Sequence, residues 1–346
     1  MFFVLCLVSN REQRTENREQ RTENREQRTR SSMQQSVSAK NLQKTFGDFV
    51  AVDSISFEVE KGEIYGFLGA NGAGKTTTIR MLCGLLEPTS GDAIVAGFSI
   101  KNDPEEVKKR LGYMSQKFSL YPSLTVAENI DFYAGLYGKD DEFIKQRMPE
   151  VLKYTELDGL EKNIVGDMPG GLKQRVALAC AIAHKPEIVF LDEPTAGVDP
   201  LLRRRFWEII DMLSKSGITV FVTTHYMDEV EHCHRIALMN NGRIIKEGTI
   251  HDIKSAVFKK PIMEIESEAP VEAYKLLSAK KDELGEISIH GALIHLIPLS
   301  GMEQADAVIR EVLNGAGIKF SKPENVEPTM EDVFVNLVKG SESSGK

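Results

Sequence analysis

Cysteine is scarce in this 346-residue chain, with only Cys6, Cys83, Cys180 and Cys233 present and no C-x-x-C pair among them. That usage points to a reducing compartment and to no zinc site. No run approaches the roughly 18 consecutive apolar residues of a membrane-spanning helix, so any membrane role has to work through a partner. Positive charge is not in excess either. The net charge is −8, which disfavours a general nucleic-acid surface. Met1 to Val8 is apolar but short, with no positive n-region and no clear small-residue cleavage site, so it reads poorly as a signal peptide. What remains is 41% apolar and 27% charged residues, the balance of a soluble globular chain long enough for one large domain or two.

The heptapeptide Arg-Glu-Gln-Arg-Thr-Glu-Asn starts at Arg11, repeats from Arg18 and begins again at Arg25. It has no apolar residue and cannot bury a face, so residues 1–35 are expected to be a disordered extension. A perfect repeat also fits a translated DNA repeat, with Met33 as the natural start.

The informative stretch is Gly69-Ala70-Asn71-Gly72-Ala73-Gly74-Lys75-Thr76-Thr77, which fits the phosphate-binding loop G-x-x-x-x-G-K-[ST]. Glycines let successive N–H groups turn inward toward phosphate oxygens. Lys75 supplies charge for the β- and γ-phosphates, and Thr76 a hydroxyl for Mg²⁺. The residues Ile64 to Leu68 read as a buried strand before the loop, and Thr77 to Leu82 as a helix after it, the order such a site requires.

From Val37 onward strand and helix signals alternate. Residues 117–168 break the pattern and read as an inserted helical subdomain, with Thr125 and Glu128 placed as a capping box. The α/β pattern resumes near Gly170, and Asn241-Gly242 signals a hairpin. Residues 256–340 read as strand, helix, two strands, helix and a strand at 318–322, a βαββαβ order of ferredoxin-like type, with a last helix from Met330 to Val338. Residues 341–346 are expected to be a flexible tail. The apolar strand Ile188 to Leu191 ends in Asp192 and Glu193. Beside a phosphate loop, Asp192 would hold Mg²⁺, and Glu193 would accept a proton from the attacking water or orient it.

In order and spacing, the phosphate loop, Gln116, Gly170-Gly171, Asp192-Glu193-Pro194, Asp199 and His225 resemble the ATP-binding cassette (ABC) transporter ATPases over about residues 36–250. The resemblance is closest to the nucleotide-binding subunits of ABC-2-type exporters and the multidrug-efflux ATPase group. Those often end in a Glu-Asp-Val-Phe-like element, matched here by Glu331-Asp332-Val333-Phe334. It implies an α/β P-loop ATPase spanning 36–255 with a small C-terminal α+β domain. It also implies ATP and Mg²⁺ as cofactors and residues 69–77 as the nucleotide cradle. Phe46 would stack on adenine, Thr76, Gln116 and Asp192 would serve as Mg²⁺ ligands, and Glu193, Gln116 and His225 as catalytic residues. A second ATPase subunit or domain would face Pro169, Gly170, Gly171 and Asp199 across a dimer interface. A separate membrane permease would dock beside Gln116, holding the protein at the cytoplasmic face of the membrane, with no nucleic acid involved. A soluble ABC ATPase of regulatory, translation or DNA-linked role is the alternative, although two cassettes or a long coiled-coil insertion would then be expected.

The departure lies at Met168-Pro169-Gly170-Gly171-Leu172, where the family usually has Leu-Ser-Gly-Gly-Gln. Pro169 offers neither a hydroxyl nor an N–H. The composite site it completes is expected to be weakened, and a partner with a complete signature would give one strong and one weak site. Two further stretches read as structural. His232-Cys233-His234 points around a helix rather than to one face, and Arg203-Arg204-Arg205 reads as a solvated basic face.

Overall fold

The computed structural model describes residues 35–117, 119–258, 262–299 and 301–343. The repeat-bearing extension lies outside the described residues. The chain divides into two compact units, one holding most residues up to 225 together with 232–235 and 239–244, and the other the rest.

In the first unit an antiparallel sheet opens the chain. Strands β1 (Gln35–Phe46) and β2 (Phe49–Glu60) form a hairpin, and β4 (Ser90–Val95) and β5 (Phe98–Ser99) extend it in the order β2-β1-β4-β5. The two short strands read from the sequence at 49–59 are one continuous strand. Beside it, β3 (Ile64–Leu68), β8 (Thr219–Thr224), β7 (Ile188–Asp192) and β6 (Leu111–Met114) run parallel in that spatial order. Every residue of β3, β7 and β8 is buried, as near-continuous apolar runs require when both faces of a sheet are covered. Phe57, Phe67, Phe190 and Phe221 pack as a tilted aromatic cluster with centroids 5.4–6.0 Å apart along successive contacts. The helices are α1 (Lys75–Leu82), α2 (Pro104–Arg110), α3 (Val126–Leu136), α4 (Asp141–Tyr154), α5 (Gly170–Ile182) and α6 (Pro200–Lys215). Thr125 and Glu128 form the reciprocal capping box at the start of α3. At Asn241 and Gly242 φ is +46° and +77°, the two positive values a two-residue hairpin turn of type I′ demands, between β9 (Arg235–Asn240) and β10 (Arg243–Gly248).

The second unit carries α7 (Ile250–Val257), β11 (Ile262–Glu266), α8 (Pro270–Ser278), α9 (Lys281–Leu284), β12 (Gly285–His290), β13 (Leu293–Pro298), α10 (Met302–Gly315), β14 (Glu324–Val326) and α11 (Met330–Ser343). Its antiparallel sheet runs β12-β13-β11-β14, the ferredoxin-like order, around a core that includes Ile265, Leu277, Ile294, Leu296 and Ile309. The last strand lies at 324–326 rather than 318–322. The earlier stretch pairs only in part, because the Ser321 hydroxyl, not a backbone carbonyl, accepts the Glu266 N–H at 3.0 Å. Pro323 lacks the N–H to continue a ladder, so regular pairing begins after it. Helix α11 extends to Ser343, past the Val338 end and into the tail expected from sequence.

Candidate functional site

The site grows from the end of β3. After Leu68 the chain turns through Gly69 to Gly74 and enters α1 at Lys75. Gly74 is the N-cap of α1 with φ +106°. A Cβ there would lie 2.5 Å from the Ala51 carbonyl oxygen and 2.7 Å from Met239 Cε, so both conformation and packing require glycine. At Gly69 the limit is packing alone, with a Cβ only 2.3 Å from the Met239 carbonyl oxygen. Ala70, Asn71 and Gly72 are exposed at the loop crest, Ala73 is buried and Thr77 is half-buried. Lys75 folds back under the loop, donating to the carbonyls of Gly69 at 2.8 Å and Ala70 at 3.2 Å. Its Nζ also lies 3.3 Å from Glu193 Oε1. Burial pushes the lysine pKa down, and the nearby Glu193 carboxylate opposes that shift.

Asp192 closes β7 almost fully buried. Its Oδ1 accepts from Thr76 Oγ1 at 3.0 Å and from Thr223 Oγ1 at 2.7 Å. Burial raises its pKa, the two hydroxyl donors hold the rise back, and the neighbouring Glu193 charge adds to it. A buried carboxylate beside a threonine hydroxyl is an all-oxygen donor set that fits a hard divalent cation.

Glu193 turns the chain out of β7 with φ +48°, a left-handed conformation uncommon for a residue with a Cβ. Its N–H is fixed by the Thr223 carbonyl at 3.1 Å and by Thr223 Oγ1 at 3.0 Å. The side chain is 8% exposed and receives three groups. Lys75 approaches Oε1, while Gln116 Nε2 at 3.0 Å and His225 Nδ1 at 3.2 Å meet Oε2. The structure thus gathers Lys75, Thr76, Gln116, Asp192, Glu193 and His225 from four separate segments. Thr223, whose hydroxyl joins Asp192 to the Glu193 backbone, was not singled out from the sequence. Its position opposite Asp192 in the parallel β7–β8 register is the signal that finds it.

Phe46, Pro169, Gly170, Gly171 and Asp199 take no part in these bonds. Phe46 lies at the β1–β2 turn, 51% exposed, with Lys44 Nζ 5.3 Å from its ring centre. Pro169 is the N-cap of α5 and contributes no side-chain bond, while its carbonyl accepts from Leu172 and Lys173. Asp199 caps α6 by accepting from the N–H groups of Leu201 and Leu202. A Cβ on Gly171 would reach Leu202 Cδ1 at 2.7 Å, so the starts of α5 and α6 abut. His232 and His234 serve packing. The His232 ring stacks on Trp207 at 5.1 Å, and His234 Nδ1 accepts from the Ile64 N–H at 2.9 Å.

Residues 52–196 match the family described as ABC transporter. The linearmycin resistance ATP-binding protein LnrL of Bacillus subtilis is 34% identical over 303 residues, covering 87% of this chain and 97% of that protein. The chain belongs to the ABC transporter ATP-binding proteins. The Nod factor export ATP-binding protein I of Burkholderia orbicola is 31% identical over 303 residues, 87% of this chain and 96% of that protein. The probable multidrug ABC transporter ATP-binding protein YbhF of Escherichia coli is 48% identical over 219 residues. That match takes in 63% of this chain, which spans only 38% of the YbhF length. Among solved structures, the ATP-binding subunit of an ABC transporter matches with a TM-score of 0.58 at 28% identity, over 64% of this chain and 92% of that one. A bacterial ABC transporter cassette solved as a dimer matches with a TM-score of 0.57 at 27% identity, over 62% of this chain and 98% of that one.

Proposed function

We propose that the chain binds ATP with Mg²⁺ and hydrolyses it to power export through a separate ABC-2-type membrane permease, working as one half of an ATPase dimer at the cytoplasmic face of the membrane. The observation that carries the chemistry is the convergence of Lys75, Gln116 and His225 on the buried Glu193 carboxylate, at the edge of a phosphate loop. Phosphate oxygens would compete with Glu193 for Lys75, leaving the carboxylate to Gln116, His225 and a water. That water attacks the γ-phosphorus, the bond to the ADP oxygen breaks, and the water's proton passes to Glu193. His225 and Gln116 hold the carboxylate in place and would report on the γ-phosphate from two sides. Thr76 and Asp192 would hold Mg²⁺, with Gln116 completing its set through an amide oxygen. The ion would supply charge neutralisation on the phosphates.

Coupling to a permease rests on two observations. Among the described residues no helix is long and apolar enough to cross a membrane. A groove of about 360 Å³ opens beside the Gln116 segment, lined among others by Ser115, Leu120, Tyr133, Leu136 and Tyr137. A permease helix seated there would move Gln116, and through it Glu193. Relatives named for multidrug transport, linearmycin resistance and Nod factor export support this reading.

Glu193→Gln tests the assignment. The amide cannot take the proton, so hydrolysis should fall by roughly 10²–10⁴-fold while ATP binding persists. Turnover equal to that of the unaltered chain would refute the role of Glu193.

A further inference from the structure

A second cluster of chemistry-bearing side chains lies in the ferredoxin-like unit, away from everything the ATPase reading uses. His290 ends β12, and His295 lies on β13 in register with Ser288, so Ser288, His290 and His295 share one face of the hairpin. Asp332, in the first turn of α11, is 4% exposed and His295 is 2% exposed. Oδ2 of Asp332 accepts from the Thr329 N–H at 2.8 Å and Oγ1 at 2.7 Å at the helix start, and also lies 3.0 Å from His295 Nδ1. Its other oxygen, Oδ1, faces two imidazole nitrogens, His295 Nδ1 at 2.9 Å and His290 Nε2 at 3.0 Å. The far nitrogen of each ring meets another carboxylate. His295 Nε2 lies 3.0 Å from Glu264 Oε2, and His290 Nδ1 lies 3.0 Å from Glu331 Oε2.

Counting hydrogens exposes a deficit. All four ring nitrogens face carboxylate oxygens, yet two neutral imidazoles carry only two N–H groups. With the outer nitrogens donating to Glu264 and Glu331, the inner pair presents lone pairs toward Asp332 Oδ1, and the Ser288 hydroxyl, 3.0 Å from His290 Nε2, can meet only one of them. Three carboxylates also surround the two rings. A divalent cation among the inner atoms removes both problems, since lone pairs and a carboxylate oxygen are what it binds. The outer carboxylates then act as the partners that ligating histidines usually have, fixing each ring's tautomer and orientation. The ligand atoms of His290, His295 and Asp332 lie within 4.8 Å of one another.

We propose that His290, His295 and Asp332 form a transition-metal site, of the class that takes Zn²⁺, which pins α11 to the β12–β13 hairpin. Two nitrogens and one carboxylate oxygen suit Zn²⁺ and leave a fourth position for water, whereas Mg²⁺ and Ca²⁺ prefer oxygen throughout. The scarcity of cysteine that argues against zinc in the sequence does not touch this site, because none of its ligands is a thiol. Nor could local spacing reveal it, since Asp332 arrives from another helix.

The test uses the full chain, stripped with a chelator and kept free of nucleotide. Co²⁺ is the spectroscopic probe and Zn²⁺ the competitor. The expected result is one Co²⁺ per chain with the visible absorption of a four-coordinate site, displaced by stoichiometric Zn²⁺ and lost in His290→Ala and His295→Gln. Zn²⁺ should raise the melting temperature of the unaltered chain and leave that of His290→Ala unchanged. His290 is 11% exposed at the end of β12, and far-UV circular dichroism and a cooperative melt of its variant matching the unaltered chain without metal confirm that the variant folds. Co²⁺ bound equally well by His290→Ala would overturn the proposal. So would a melting temperature that rises on acidification and ignores Zn²⁺, which would assign the cluster to doubly protonated imidazoles.

Discussion

A left-handed backbone at a residue with a Cβ costs about 1–2 kcal/mol, and Glu193 adopts one at φ +48°. The fold tolerates that cost where the chain leaves β7, because Thr223 holds the Glu193 N–H from two sides and three side chains converge on the carboxylate. The strain can be separated from the chemistry. Glu193→Ala and Glu193→Gly both remove the carboxylate, so both should abolish hydrolysis and leave Lys75 without its ion pair. Only glycine also relieves the backbone. Urea titration should therefore find the glycine variant more stable than the alanine variant by about 1 kcal/mol. Equal stabilities would mean that the left-handed turn relaxes at no cost when the side chain is removed. Lys75 shows the complementary arrangement. It is 4% exposed and ties the loop carbonyls to Glu193, so the phosphate cradle is held in shape by the same lysine that would engage the phosphates.

At the scale of elements, His184 shows how one buried ring can make packing depend on pH. It follows α5, stacks on Tyr137 just past the end of α3 with ring centres 3.6 Å apart, and reaches the Leu111 carbonyl at the start of β6 at 3.0 Å. Nε2 donates there, and Nδ1 has no hydrogen-bond partner among the described residues. Burial pushes its pKa down to about 4, so the ring is neutral in the fold. The unfolded chain takes up that proton below about pH 6.5, the folded chain only near pH 4. Stability from this site is thus complete above about pH 6.5 and is lost as pH falls toward 4. Between pH 7 and pH 5 the loss should be about 2 kcal/mol. His184→Gln keeps an N–H for Leu111 and removes the titration, so urea melts of that variant should lack this part of the acid sensitivity. An identical pH dependence in both proteins would remove His184 as its source.

Elements were legible where a short stretch carried its own physical signal. The strand, loop and helix around Lys75, the Thr125–Glu128 capping box and the Asn241-Gly242 turn all depend on residues within a few positions of one another. The stretch at 318–322 misled because apolar alternation says nothing about a serine hydroxyl taking a backbone carbonyl's place. The grouping of Gln116, Glu193 and His225 followed only from a family resemblance. The Thr223 hydroxyl and the His290–His295–Asp332 cluster lay beyond it, because their partners come from distant strands and helices.

For the whole molecule the decisive question is what faces the phosphate loop, and Pro169 makes it measurable. Helix α5 begins intact behind Pro169, so Gly170 and Gly171 still offer a helix start to a phosphate. What is missing is the hydroxyl that the family's serine would donate. A hydrogen bond to a charged group contributes about 1.5–3 kcal/mol. In a homodimer that loss occurs at both composite sites, giving about 3–6 kcal/mol, or roughly 10²–10⁴-fold in dimer dissociation. In a heterodimer with a complete partner it occurs once. The unequal pair is therefore the expected assembly. The comparison is best made with hydrolysis blocked by Glu193→Gln, so that ATP persists during sedimentation. The single variant alone should stay largely monomeric at micromolar concentration with ATP. Adding Pro169→Ser should move it to dimer at concentrations lower by about the two-site factor. If both dimerise equally tightly, the proline costs nothing at the interface and a homodimer becomes the simpler assembly.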